Sequence, residues 1–95
     1  MNKAKKKTYI ELEPELSACI ETKARREYQK TFNQLLEQDD NEELQERIEL
    51  LRLFLESTDF GKLRSEYEKH LAAGNKVKFI LQLANGEPEY KIQIT

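Results

Sequence analysis

Cysteine and histidine each occur once in this chain, proline twice and glycine three times. A single cysteine, Cys19, permits no intramolecular disulfide and no thiolate metal cluster. There is no glycine-rich loop to cradle a phosphate. No apolar run approaches the roughly 20 residues that a membrane span needs. The basic start, Lys3 with Lys5, Lys6 and Lys7, leads into Tyr9-Ile10 and then Glu11, Glu13 and Glu15, not into the apolar segment of a signal peptide. These absences point to a cytoplasmic, reducing setting with no membrane association and no cofactor.

What is present is charge and periodicity. Of 95 residues, 36% are charged and 38% hydrophobic. That length suits one domain and is too short for two. The net charge of −2 names no partner, but its distribution is uneven. Residues 1–30 carry +3, residues 31–70 carry −6 and the remainder +1. Residues 1–7 read as a flexible basic arm, and residues 8–95 as a single small globular domain.

The firmest element lies at the C-terminus. Val77, Phe79, Leu81 and Leu83 alternate with Lys78, Ile80 and Gln82; Tyr90, Ile92 and Ile94 alternate with Lys91, Gln93 and Thr95. Asn85-Gly86 between them is a strong hairpin signal, because a type I′ turn wants positive φ at both central residues. That turn sets Leu81 against Tyr90, Phe79 against Ile92 and Val77 against Ile94. All the large apolar pairs then share one face, and a one-residue slip would destroy the agreement. Pro88 would oppose Leu83 and weaken the ladder beside the turn.

Three helices are predicted before the hairpin. The first runs from about Pro14 to Gln38, with Pro14 in its first turn. Its apolar row, Leu16, Ile20, Ala24, Tyr28, Phe32 and Leu36, steps by four and so spirals about 40° per step. Such a row implies an oblique crossing, or different partners at the two ends. Asp40 or Asn41 caps a second helix, about Glu42–Glu56. Its Leu50–Leu55 segment is apolar except at Arg52 and must be covered on two sides. Ser57-Thr58-Asp59 offers three caps for a third helix, about Phe60–Ala73, which Gly74-Asn75 ends. Thr8–Glu13 alternates and forms either a short third strand or an irregular lead-in to the first helix. The fold class is α+β: three helices, then a C-terminal antiparallel β-hairpin.

No catalytic, metal or cofactor motif stands up. Asp39-Asp40-Asn41-Glu42-Glu43 is rich in oxygen ligands. A calcium loop starting at Asp39 would need Gly and Glu where Leu44 and Leu50 stand. His70 flanks the apolar stripe of the third helix with no nucleophile or second acid beside it. Cys19 reads as a buried thiol.

Two binding surfaces remain. One is an apolar patch of Leu50, Leu53 and Phe54, exposed if the helices do not bury it, together with an open hairpin edge carrying Lys76 and Lys78 or Lys91. It suits a protein partner or self-association through the second helix or the hairpin edge. The other is a basic strip of Lys5, Lys6, Lys7, Lys23, Arg26 and Lys30, suited to phosphates of nucleic acid. The protein's net acidity and the lack of interleaved aromatics weigh against the second. The expected function is a non-catalytic interaction or regulatory module, with nucleic-acid association as the alternative.

Overall fold

The structure, a computed structural model, describes residues 8–95. The expected basic arm, with Lys5, Lys6 and Lys7, lies outside those residues. In chain order the elements are β1 (Tyr9–Leu12), α1 (Ile20–Glu37), α2 (Glu42–Ser57), α3 (Phe60–Ala72), β2 (Val77–Ala84) and β3 (Glu87–Ile94). This is the α+β arrangement of three helices and a C-terminal hairpin, with β1 as a third strand. Among the described residues no helix is long and apolar enough to cross a membrane.

The hairpin has the register that its turn demands. Asn85 at φ 55° and Gly86 at φ 80° form the turn, and Leu81 faces Tyr90, Phe79 faces Ile92 and Val77 faces Ile94. β1 joins the other side of β2, antiparallel, with Ile10 beside Leu81 and Leu12 beside Phe79. The sheet order is β1-β2-β3, so β2 is central. Ile10, Leu12, Val77, Phe79 and Leu81 all point to one face and are buried there.

The helices cover that face. α2 touches α1 on one side and β2 and β3 on another, which explains why its apolar arc is so wide. Leu50, Leu51 and Phe54 join Ile20, Ala24, Leu63, Tyr67 and the sheet residues in one core. α2 is the central element of the fold. Asn41 caps it, accepting from the Leu44 amide at 3.0 Å, and Asp59 caps α3 from the Lys62 amide at 3.1 Å. Gly74, at φ 91°, ends α3 in the left-handed conformation, and the Asn75 amide reaches back to the His70 carbonyl at 3.0 Å.

α1 departs from expectation in where it starts and in which face it buries, while it ends close to the expected Gln38. It begins at Ile20, not Pro14. Residues 15–18 instead close a tight turn, in which Glu15 and Ala18 exchange backbone bonds of 2.9 and 3.1 Å, and Leu16 is left 68% exposed. The apolar row also leaves the core. The buried positions are Ile20, Ala24 and Thr31, steps of four and then seven that stay near one line along the helix. The row of fours carries Leu36 about 160° around from Ile20, and Phe32 and Leu36 end 41% and 69% exposed.

Candidate interaction site at the open sheet edge

β3 is the unpartnered edge beside β2, and the turn decides what that edge presents. Lys76 and Thr95 exchange both backbone bonds, at 3.0 and 2.9 Å. In an antiparallel ladder bonded and non-bonded pairs alternate. Gln93, Lys91 and Glu89 therefore bond inward to β2, whereas Ile94, Ile92 and Tyr90 turn their N–H and C=O groups outward. Pro88 has the same parity but has no N–H to offer.

The outward-bonding residues are also the apolar ones. Tyr90 and Ile94 are 41% and 38% exposed, and Ile92 is half-buried against the core. Tyr90 is held in place by two rings. Its centroid lies 5.9 Å from that of Phe54, nearly edge-on, and 5.5 Å from that of Phe79. Beside it a cleft of about 330 Å³ opens between β3 and the α2–α3 junction, lined by Ser57, Asp59, Lys62, Glu66 and Pro88 among others. Burial, and then the nearby Glu66 carboxylate, push the Tyr90 phenol above its usual pKa.

The opposite edge is guarded. β1 is only four residues long, and the Arg47 guanidinium reaches the Tyr9 carbonyl at 3.5 Å while pairing with Glu27 at 2.9 Å. Thr8 donates its hydroxyl to Glu46 at 2.6 Å, tying the lead-in of β1 to α2. A short strand with a cation over its open carbonyl discourages further pairing. β3 has eight residues, and from Tyr90 onward it carries no such cover among the described residues.

The two surfaces expected from sequence fare unequally. Leu50 and Phe54 are 0% and 1% exposed, because α1 and the sheet cover α2 on both sides. They are core residues and form no exposed apolar patch, although Phe54 contributes to the floor of the cleft beside Tyr90; Leu53 alone of the three remains half-exposed. Lys76 and Lys78 do not lie on the open edge, which is β3; on the other side of β2, β1 pairs with the neighbouring Phe79–Gln82. Lys78 pairs with Glu11 at 3.5 Å, and the backbone of Lys76 is engaged with Thr95. Of the basic strip, Lys23 pairs with Glu15 at 3.3 Å, and Arg26 and Lys30 are exposed.

The remaining candidates sort by position. His70 is half-buried in the last turn of α3, where a basic side chain suits the helix C-terminus. Cys19 is not the buried thiol expected. It is half-buried immediately before α1, its Sγ 3.4 Å from the Thr22 hydroxyl. That hydroxyl, and then the Thr22 backbone, hold the thiol below its usual pKa. The acidic connection 39–43 contributes the Asn41 cap. Among the described residues no group of three or more His, Cys, Asp or Glu is placed to hold a metal.

Sequence reasoning expected an apolar hairpin face and an open edge carrying Lys76 and Lys78 or Lys91, but not that Tyr90, Ile92 and Ile94 turn their backbone groups out along it. The signal was available. A two-residue turn makes Ala84–Glu87 its closing bonded pair, which sets the outward parity of every residue on β3.

A protein-family model matches residues 7–93, and the chain belongs to that family. An Archaeoglobus fulgidus protein described as an uncharacterized protein is 45% identical over 49 residues, covering 48% of this chain and 58% of that protein. The matched part is thus less than two thirds of that relative's length. No solved structure matches the chain.

Proposed function

We propose that this member of the family spanning residues 7–93 is a non-catalytic protein-interaction module that takes an extended strand onto β3. The supporting observation is the coincidence on one strand of outward backbone groups at Tyr90, Ile92 and Ile94 with half-exposed apolar side chains at Tyr90 and Ile94. Main-chain bonds to such an edge supply affinity, and alternate side chains of the added strand supply selectivity. Here every second residue of the incoming strand would meet the apolar row and, at the α2–α3 end, the cleft beside Tyr90.

The test is site-specific photo-crosslinking in the native host. A photoreactive side chain replaces Gln93, which faces away from the helices and bonds inward, so the edge stays free. Adducts that disappear in an Ile92→Pro background support the reading. Adducts unaffected by that change contradict it. Ile92→Pro suits this role because the lost N–H faces outward, and proline is tolerated on an edge strand at such positions.

A further inference from the structure

We infer that the strand received by β3 is β3 of a second copy, paired antiparallel about a two-fold axis at Ile92. The inference rests on the reading of β3 as a pairing edge and adds the partner and the register. A strand paired with its own copy must be self-complementary, and the possible registers can be compared residue by residue.

Placing the axis at Lys91 sets Lys91 against Lys91 of the second copy. Like charges directly opposite are unfavourable. Placing it at Tyr90 sets Lys91 against Glu89, which is favourable, but draws Pro88 into the ladder opposite Ile92. The missing N–H then leaves an Ile92 carbonyl unpaired in each chain, and Ile94 lies opposite Gly86 with no side chain to cover it. Placing it at Gln93 pairs only Ile92 with Ile94 and sets Tyr90 opposite a position outside β3, which spans Glu87–Ile94.

The axis at Ile92 avoids each defect. Ile92 faces Ile92, and Tyr90 faces Ile94 in both directions. These are the residues that bond outward, so the new ladder gains about six backbone hydrogen bonds with an N–H available for each. The two half-exposed residues, Tyr90 at 41% and Ile94 at 38%, cover one another. On the solvent face Lys91 meets Gln93 and Glu89 meets Thr95, with no like-charge pair. A two-fold of this kind runs perpendicular to the sheet, so both helical layers lie on the same side of a six-stranded sheet.

Sedimentation velocity of the purified full chain reads the association, and engineered disulfides read the register. The expected result is a mass that climbs with concentration from 11.3 kDa towards twice that value. Ile92→Pro and Ile94→Lys each weaken dimerisation at least tenfold while thermal unfolding stays cooperative; should Ile92→Pro fail to fold, Ile94→Lys carries the test. In a Cys19→Ser background, Lys91→Cys mixed with Gln93→Cys gives an inter-chain disulfide, and neither variant crosslinks alone. Crosslinking of Lys91→Cys by itself, or of Gln93→Cys by itself, overturns the register. A dimer indifferent to both edge variants overturns the inference. A strict monomer at millimolar concentration also overturns it, yet leaves β3 open as an edge for another protein, which the photo-crosslinking decides separately.

Discussion

The Tyr67 hydroxyl accepts a 2.8 Å hydrogen bond from the Ile20 amide, joining α3 to the first residue of α1 across 47 positions. Cys19, which occupies the capping position, makes no side-chain cap. A tertiary contact therefore satisfies an amide that a local residue usually satisfies. The same ring stands edge-on to Phe79 at 5.5 Å, so one side chain fixes where α1 starts and how α3 sits on the sheet.

Tyr67→Phe keeps the ring and removes the acceptor. It is expected to destabilise the fold by about 1 kcal/mol, read from chemical denaturation. It also alters the pH response. Burial raises the Tyr67 phenol above its ordinary pKa, so the folded state holds a proton that the unfolded state releases. Stability is complete below the unfolded value of about 10 and falls as pH rises past it. The fall above pH ~10 is expected to be shallower in Tyr67→Phe.

Thr31 is fully buried, and its hydroxyl has no hydrogen-bond partner among the described residues. Thr31→Val removes that polar atom at nearly constant volume. The expected gain is about 1 kcal/mol, seen as a higher midpoint with an unchanged denaturant slope.

Gly86 lies at φ 80° with nothing within 4 Å of the position a Cβ would take. Gly86→Ala therefore meets no clash, and its penalty is conformational. A loss of about 1 kcal/mol in thermal or chemical unfolding is expected.

Cys19 is expected to form thiolate at lower pH than a free thiol, because the Thr22 hydroxyl, and then the Thr22 backbone, favour the charged form. The pH profile of alkylation by iodoacetamide reports it. Thr22→Val should move that profile upward, towards the free-thiol value.

What could be read from sequence was what neighbouring residues decide among themselves. Asn85-Gly86 and the alternation around them determined the hairpin register, and Asn41, Asp59 and Gly74 marked helix ends because capping is local. The start of α1 was not legible. Pro14 suits a helical first turn, but the chain turns at residues 15–18 and the Ile20 amide finds Tyr67. Nor could the burial of Leu50 and Phe54, against the exposure of Phe32 and Leu36, be read from patterning. It depends on which elements sandwich α2. The edge followed the same rule: its parity was local, but the pairing of β1 with Phe79–Gln82, which leaves β3 as the open edge, was not.

Residue-resolved amide exchange of the full chain at low and high concentration tests the account most directly. Lys91 and Gln93 bond inward to β2 at every concentration, so their protection should stay constant. Tyr90, Ile92 and Ile94 should exchange freely when dilute and become protected together as concentration rises, giving an alternating pattern along β3. Amides at Tyr90, Ile92 and Ile94 that remain unprotected at every concentration would contradict pairing through this edge.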